Sequence, residues 1–449
     1  MPNGDENMAT QRTSNTRVAG LGALAAILLA ALATTMVQCR DKSSEKSTAA
    51  SKPSESAMPA QPPLSATRAS APSTSWSDWK APPEDALDTP HRRTAQELMD
   101  KAALYLVRQR DDSGSWSTGK DSARPAITAM VLKALVQHPG YGPGHPAVRK
   151  GFEALLSFKQ SDGGIYEPSE GGSSYTSAVA LMALAAVQGR EYDQQVRDLI
   201  AHLRSLQIVP GAESTDGKVD ANDPRVGGVG YGKGSGKPDL SVTGMWAEAL
   251  HEGGVPADDP AMQRAVAFVS RLQNNSETNS MLWAKEGDSD GGFVYVMPGQ
   301  GPGGSSGGQG ARSYGSMTYT GFKSLLYAGV DHKDQRVQAA FRWIREHWRL
   351  DSNPNMPAVQ SKSGLYYYYH VFAKALDAWG EPVIADIKGV KHNWRHELID
   401  ALAAQVRDDG SWVNTADRWW EGSPVLTTSY AMLALEEALK PIPVGKSQE

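Results

Sequence analysis

Ionisable side chains recur at one position of a repeated segment. Lys133, Glu248, Lys323 and Lys374 each stand five residues after a member of one column, Thr128, Thr243, Thr318 and Tyr369, while Met182 and Leu433 fill that place after Ser177 and Thr428. On helices of one register these four charges would point at a common axis, where three cations and one anion could hold an anionic group of a substrate. Two more columns share that face at about 100° per residue: His370 and Tyr319 one residue after the reference column, and Tyr175 and Tyr367 two residues before it. His370 with Tyr319 supplies a proton-transfer pair. The loop DRWWEG, residues 417–422, adds Asp417 and Glu421 as carboxylates that could work with His370, and Trp419 and Trp420 as faces on which a sugar ring or an apolar chain could stack. Arg124, Asp239 and Tyr314, four residues before the column, would ring the same mouth. Two bland readings stand beside these: lysines that snorkel between helices, and tryptophans that plug the seam of the fold.

The elements that must position these groups come from a repeat. YLVRQRDDSGSW (105–116) precedes TAMVLKAL (128–135), and LAAQVRDDGSW (402–412) precedes TSYAMLAL (428–435), with Gln and Trp seven residues apart in both. Four degenerate copies lie between, and each column residue stands seven before a leucine: Leu135, Leu184, Leu250, Leu325, Leu376 and Leu435. Each unit reads as helix, Gly/Asp turn ending in an aromatic, then helix, which gives twelve helices in six antiparallel pairs. The run GLYYYYHVFAKAL (364–376) falls where the other copies carry helix, so it is a helix entrance despite the strand propensity of tyrosine. Helical spacing turns two of its four tyrosines inward. Helix pairs of this kind cannot bury their apolar faces alone and must stack, as an open superhelix or a closed ring.

The Gln, Asp/Gly, Gly and Trp of QRDDSGSW and QVRDDGSW resemble the repeat of the squalene cyclase and protein prenyltransferase superfamily. The resemblance covers residues 93 to 440 and implies an all-α fold, an α/α toroid of six inner and six outer helices around a central cavity. SYGSMTYTGFKSLLYAGV and GLYYYYHVFAKALDAWG are similar to an exported bacterial branch of toroid proteins. In the superfamily the Gln/Trp turn ties an outer helix to the next inner one, so Gln109, Trp116, Gln405 and Trp412 are expected to hold the fold. The resemblance does not extend to chemistry. The Asp-x-Asp-Asp acid of squalene cyclases is missing, since Asp111-Asp112 and Asp258-Asp259 read as turn pairs, and the prenyltransferase zinc set needs a cysteine inside the domain.

The single cysteine, Cys39, excludes intramolecular disulfides and Cys-ligated metal sites. A net charge of -5 over 449 residues gives no basic footprint for nucleic acid. Val18 to Val37 is 20 residues without a charge, preceded by Arg12 and Arg17, so export is expected. Its fate is open between a retained membrane anchor, cleavage after Ala31-Leu32-Ala33, and lipid attachment at Cys39. Residues 41–92, rich in Ser, Pro and Ala, read as a disordered linker, and 441–449 as a tail. His392 and His396, four apart, lack a third ligand, so neither a metal nor a cofactor is expected. Gly287 to Gly291 and Gly303 to Gly307 match G-x-S-x-G but sit in turn-rich sequence, and GQGPGGSSGGQG (299–310) reads as a flexible loop. Three functions are compatible with this pattern. They are an enzyme for an isoprenoid-like or lipid-linked anionic substrate, a carbohydrate-active lyase or hydrolase on an acidic glycan, and a non-catalytic envelope binding module.

Overall fold

The computed structural model describes residue 76 and residues 79–119, 124–214, 217–232, 237–298 and 312–442. The apolar segment, Cys39, most of the Ser/Pro-rich stretch and the glycine-rich loop lie outside the described residues. Among the described residues no helix is long and apolar enough to cross a membrane. The helices are α1 (Thr89–Arg108), α2 (Arg124–Gln137), α3 (Pro146–Leu156), α4 (Ser173–Ala185), α5 (Asp193–Ser205), α6 (Leu240–Glu252), α7 (Pro260–Ser270), the single turn α8 (Leu282–Lys285), α9 (Gly315–Tyr327), α10 (Gln335–Glu346), α11 (Leu365–Trp379), α12 (Trp394–Ala403) and α13 (Pro424–Leu439). Two short hairpins accompany them: β1 (Glu213–Ser214) with β2 (Gly217–Lys218), and β3 (Val383–Ala385) with β4 (Lys391–Asn393).

The two kinds of helix differ as their surroundings demand. Outer helices are amphipathic, and all but α5 carry a side-chain cap. Asp88, His145, Asp259, Asp334 and Asn393 each accept a backbone N–H at an N-terminus, and α1, α3 and α7 carry proline in the first turn. On α10, Val337, Ala340, Trp343 and Ile344 are buried while Arg342 and Glu346 face water. Inner helices are apolar almost all round, because neighbours flank them and an outer helix backs them; in α2 every residue from Pro125 to Val136 is buried.

The reference column of the repeat holds each unit together. Thr128, Ser177, Thr243, Thr318 and Thr428 accept hydrogen bonds from the backbone N–H of Trp116, Ile165, Val229, Phe293 and Trp412, at 3.0 to 3.1 Å. The inner helix is thereby bonded to the residue that ends the turn before it. In the fifth unit Tyr369 takes the place, and its longer side chain donates to the Leu350 carbonyl at 2.6 Å. Trp116 and Trp412 also donate their indole N–H to Leu106 and Leu402, at 2.6 and 2.8 Å. The glutamines behave otherwise than expected. Gln109 and Gln405 are exposed, whereas Gln207 and Gln273 of the degenerate copies bridge the turn carbonyls of Gly227 and Gly291 to Ala261 and Arg336 on the next outer helix.

Ring closure is visible in the turn glycines. Gly114, Gly163, Gly227 and Gly291 have positive φ and lie against the backbone of the following outer helix, at Lys150, Asp198, Arg264 and Ala339. Gly410, with φ of 84°, lies against Lys101 of α1, so the sixth unit meets the first; a Cβ there would sit 2.8 Å from the Lys101 carbonyl oxygen. The inner helices repeat that order, α2 on α4, α6, α9, α11, α13 and back on α2. The architecture is therefore the closed α/α toroid of six inner and six outer helices, not the open superhelix. α1 begins at Thr89, and before it Ala86 and Leu87 are buried while Trp76 and Trp79 bond Asp100 and the Leu439 carbonyl.

Trp116 is 1% exposed and both its N–H groups are bonded. Trp116→Ala is expected to destabilise the fold by about 3–5 kcal/mol in denaturant unfolding; a loss under about 1 kcal/mol would show that the turn does not fasten the unit.

Candidate functional site

The two ends of the ring differ chemically. At the C-terminal ends of the inner helices the charged column converges, but its charges meet one another. Lys323 pairs with Glu248, Lys374 with Glu248 at 3.0 Å and with Glu437 at 3.1 Å, and Lys133 with Glu252 at 2.7 Å; Lys374 also pairs with Glu252. Lys133, Glu248, Lys323 and Lys374 are each at most 2% exposed. The sequence reading left these lysines open to a ligand's anion; carboxylates of the protein occupy that role. Burial alone would raise the Glu248 carboxyl, but Lys323, Lys374 and Lys133 hold it well below the usual range. Burial opposes the charge on Lys374 as well, and Glu252, Glu437 and Glu248 outweigh it and raise its pKa. Glu436 is the exception, since burial and the adjacent Glu437 push it well up, and as a neutral acid it accepts from Gln137 at 2.6 Å.

The residues missed in the sequence carried a signal. Gln137, Glu252, Tyr327 and Glu437 all stand nine residues after the reference column, one helical turn beyond the charged one. The axial stripe continues to the helix ends.

At the N-terminal ends of the inner helices lies a mouth lined by hydroxyls. The phenol oxygens of Tyr175 and Tyr430 are 3.2 Å apart, and Tyr367 Oη is 3.3 Å from Ser241 Oγ and 3.4 Å from Thr320 Oγ1. Tyr175, Tyr367, Ser241, Tyr314, Tyr231 and Tyr295 are half-buried there. Asp239 caps α6, accepting from Val242 N at 2.8 Å. Burial pushes its carboxyl up to about 7, against hydrogen bonds from Val242, Tyr295 and Ser241. Burial raises the phenols of Tyr231, Tyr295, Tyr314 and Tyr367 above their ordinary value, so they serve as neutral hydrogen-bonding groups. Arg124 is half-buried at the first position of α2.

Of the four consecutive tyrosines only Tyr367 reaches the mouth, rather than two. Tyr366 and Tyr369 turn toward Gln405, and Tyr368 donates to the Arg349 carbonyl at 2.9 Å. Tyr367 and His370 are three residues apart and share the axial face. His370 stacks on Tyr430 at 5.7 Å between mouth and ion cluster. Burial pushes it down to about 3, with Glu248 opposing and the three lysines adding to the fall, so the imidazole is neutral and a weak base. Tyr319, in the same column as His370, leans instead into the wall between α9 and α11, 5.5 Å from Tyr368 and 5.3 Å from Phe372. The pairing of His370 with Tyr319 is therefore not formed.

Glu421 does not pair with His370 either. It accepts from Asn414 Nδ2 at 2.6 Å and from Tyr367 N at 2.8 Å, and so caps α11, with burial pushing it up to about 7. Asp417 is exposed. Trp419 and Trp420 are 39% and 42% exposed, with φ of 59° and 69°, a backbone state costing about 1–3 kcal/mol per residue for non-glycine. Trp419 lies over Gly364 at the entrance of α11, with the Arg418 guanidinium 4.6 Å from its ring. The pair sits on the sixth unit's rim and does not plug the seam to the first. His392 is the central residue of β4 and pairs with Glu397, so it does not share a helix with His396.

No known family and no curated protein matches the chain. Solved structures similar to it include type II terpene cyclase MstE from Scytonema, 15% identical, with 77% of this chain and 99% of that chain covered and a TM-score of 0.48. The GH76A α-1,6-mannanase from Salegentibacter sp. HEL1_6 is 10% identical over 77% and 98% of the two chains, with a TM-score of 0.49. A protein from Actinoplanes is 17% identical over 77% and 99%, with a TM-score of 0.47.

Two outcomes follow. Lys374→Met, which keeps the stem and removes the charge, leaves buried carboxylates uncompensated and is expected to cost about 3–5 kcal/mol in urea unfolding; a neutral result would mean that water already screens the cluster. Glu421 carries a raised pKa, so its contribution to stability is full below its ordinary value of 4.5 and is lost as pH rises through about 7. Glu421→Gln should therefore gain melting temperature relative to the native chain between those two values, and a pH-independent difference would contradict the burial of its charge.

Proposed function

We propose that the protein is an exported acid–base enzyme that works at the phenol-lined mouth of the toroid on a hydroxyl-rich, glycan-type substrate, with Asp239 as the proton donor. The observation that carries this reading is the Asp239 carboxyl, held near 7 by burial and surrounded by Tyr231, Tyr295 and Tyr314. A carboxyl of that strength is matched to protonating a leaving oxygen at neutral pH, and far too weak to protonate an alkene. Tyrosine, serine and threonine hydroxyls suit sugar hydroxyls, and the exposed Trp419–Trp420 pair at the rim offers the stacking face such a ring needs. The lysines are matched by glutamates, so the substrate is neutral rather than acidic. Buried neutral phenols also argue against a lyase that uses a tyrosinate base.

A second reading retains the isoprenoid-like or lipid-linked substrate. It is favoured by the aromatic wall of Tyr175, Tyr367 and Tyr430, whose faces accommodate an apolar chain. In both readings the Val18 to Val37 segment carries the chain to the cell envelope.

Asp239→Asn keeps the acceptor for Val242 N and removes the proton. With neutral envelope oligosaccharides as probes, the native chain should bind and cleave, with turnover falling as pH rises through about 7; the variant should bind without cleaving. Binding of a polyprenyl phosphate in place of every oligosaccharide would transfer the site to the second reading, and binding of neither would leave a non-catalytic module.

A further inference from the structure

We infer that the protein carries a zinc site on the outside of the ring, formed by Asp88, His91 and His396. The proposal is independent of the mouth and of any reaction there. His396 lies in the first turn of α12, where Asn393 accepts its backbone N–H, and it faces the N-terminus of α1 across the closing seam. The rings of His91 and His396 stack at 4.0 Å with an interplanar angle of 3°. One ligand atom from each of Asp88, His91 and His396 lies within 4.8 Å of the others, and all three residues are half-buried.

The present hydrogen bonds show which atoms would bind. His91 Nδ1 is 2.6 Å from Asp88 Oδ1, so it carries a proton that a cation would displace. His396 Nε2 accepts from Asp88 N at 3.2 Å and lies 3.9 Å from Asp88 Oδ2, so its lone pair faces the cluster and a cation would take the place of that N–H. Asp400 Oδ1 stands 3.6 Å from His91 Nε2, the place of the carboxylate that orients a metal-bound imidazole and raises its basicity. Two imidazoles and one carboxylate with a water in the fourth position suit zinc, whereas calcium and magnesium call for an all-oxygen shell.

Two features oppose binding and both are met locally. Parallel rings hold their lone pairs in separate planes, and a turn about χ2, a soft torsion, brings them to one point. The partial positive charge at the start of α1 repels a cation, but Asp88 and Asp400 place two carboxylates at the spot. An ion here would clasp the first outer helix to the last. The sequence could not show this site, because residues 88 and 91 are some three hundred positions from 396 and only closure joins them.

The test is calorimetric titration of the full, chelator-treated chain with zinc chloride, together with its melting temperature. One ion per chain and a rise in melting temperature with zinc are expected. His396→Ala should weaken binding by about tenfold or more. Asp88→Asn keeps the helix cap and should do the same without lowering the metal-free melting temperature. His392→Ala, on β4 and paired with Glu397, should bind zinc as the native chain does. Absence of stoichiometric binding, or equal binding by the native chain, Asp88→Asn and His396→Ala, would overturn the site, as would loss of binding in His392→Ala.

Discussion

The structure depends on a set of charges buried on the axis of a ring. Lysines from α2, α9 and α11 meet glutamates from α6 and α13, so five of the six inner helices are tied at one level. None of these charges could be buried singly without a cost of several kcal/mol, and each is held because partners arrive from across the axis. The six inner helices run in parallel, so their C-terminal ends also bring partial negative charge to that level, which favours the lysines there. The cluster thereby closes one end of the toroid electrostatically.

The other end of the ring is built differently. The N-terminal ends of the same helices present hydroxyls and two capping carboxyls, and the proton affinity of one of them, Asp239, is shifted by burial into the neutral range. Glu421 shares the shift but is committed to the α11 entrance, where it fixes the helix that carries Tyr367 and His370. Both carboxyls cap an inner helix, and Asp239 differs in the tyrosines that stand around it. His370, neutral between the two layers, separates a polar mouth from an ionic floor.

Much of this was legible in the repeat. Aligning six copies locates the inner helices, and the bonds from Thr128, Ser177, Thr243, Thr318 and Thr428 to the turns are the reason that column recurs. The charged column was legible for the same reason, since residues at one register of parallel helices must share a level. Its partners Glu252 and Glu437 were not, because they lie past the leucine that ends the repeated segment, one turn beyond the charged column. Tyr319 and the tyrosine run show the other limit: a large ring near the edge of the axial stripe turns toward whichever neighbour offers it a wall, as Tyr368 and Phe372 do.

The sequence by itself determined the helical repeat, its six copies and the direction in which each inner helix presents its charges, because these follow from local periodicity and turn chemistry. Tertiary structure decided the pairings: which carboxylate answers which lysine, which acid remains at the mouth, and which histidine faces across the seam. Those depend on distances between residues far apart in the chain, and burial and charge compensation are set by neighbours that only closure of the ring brings together.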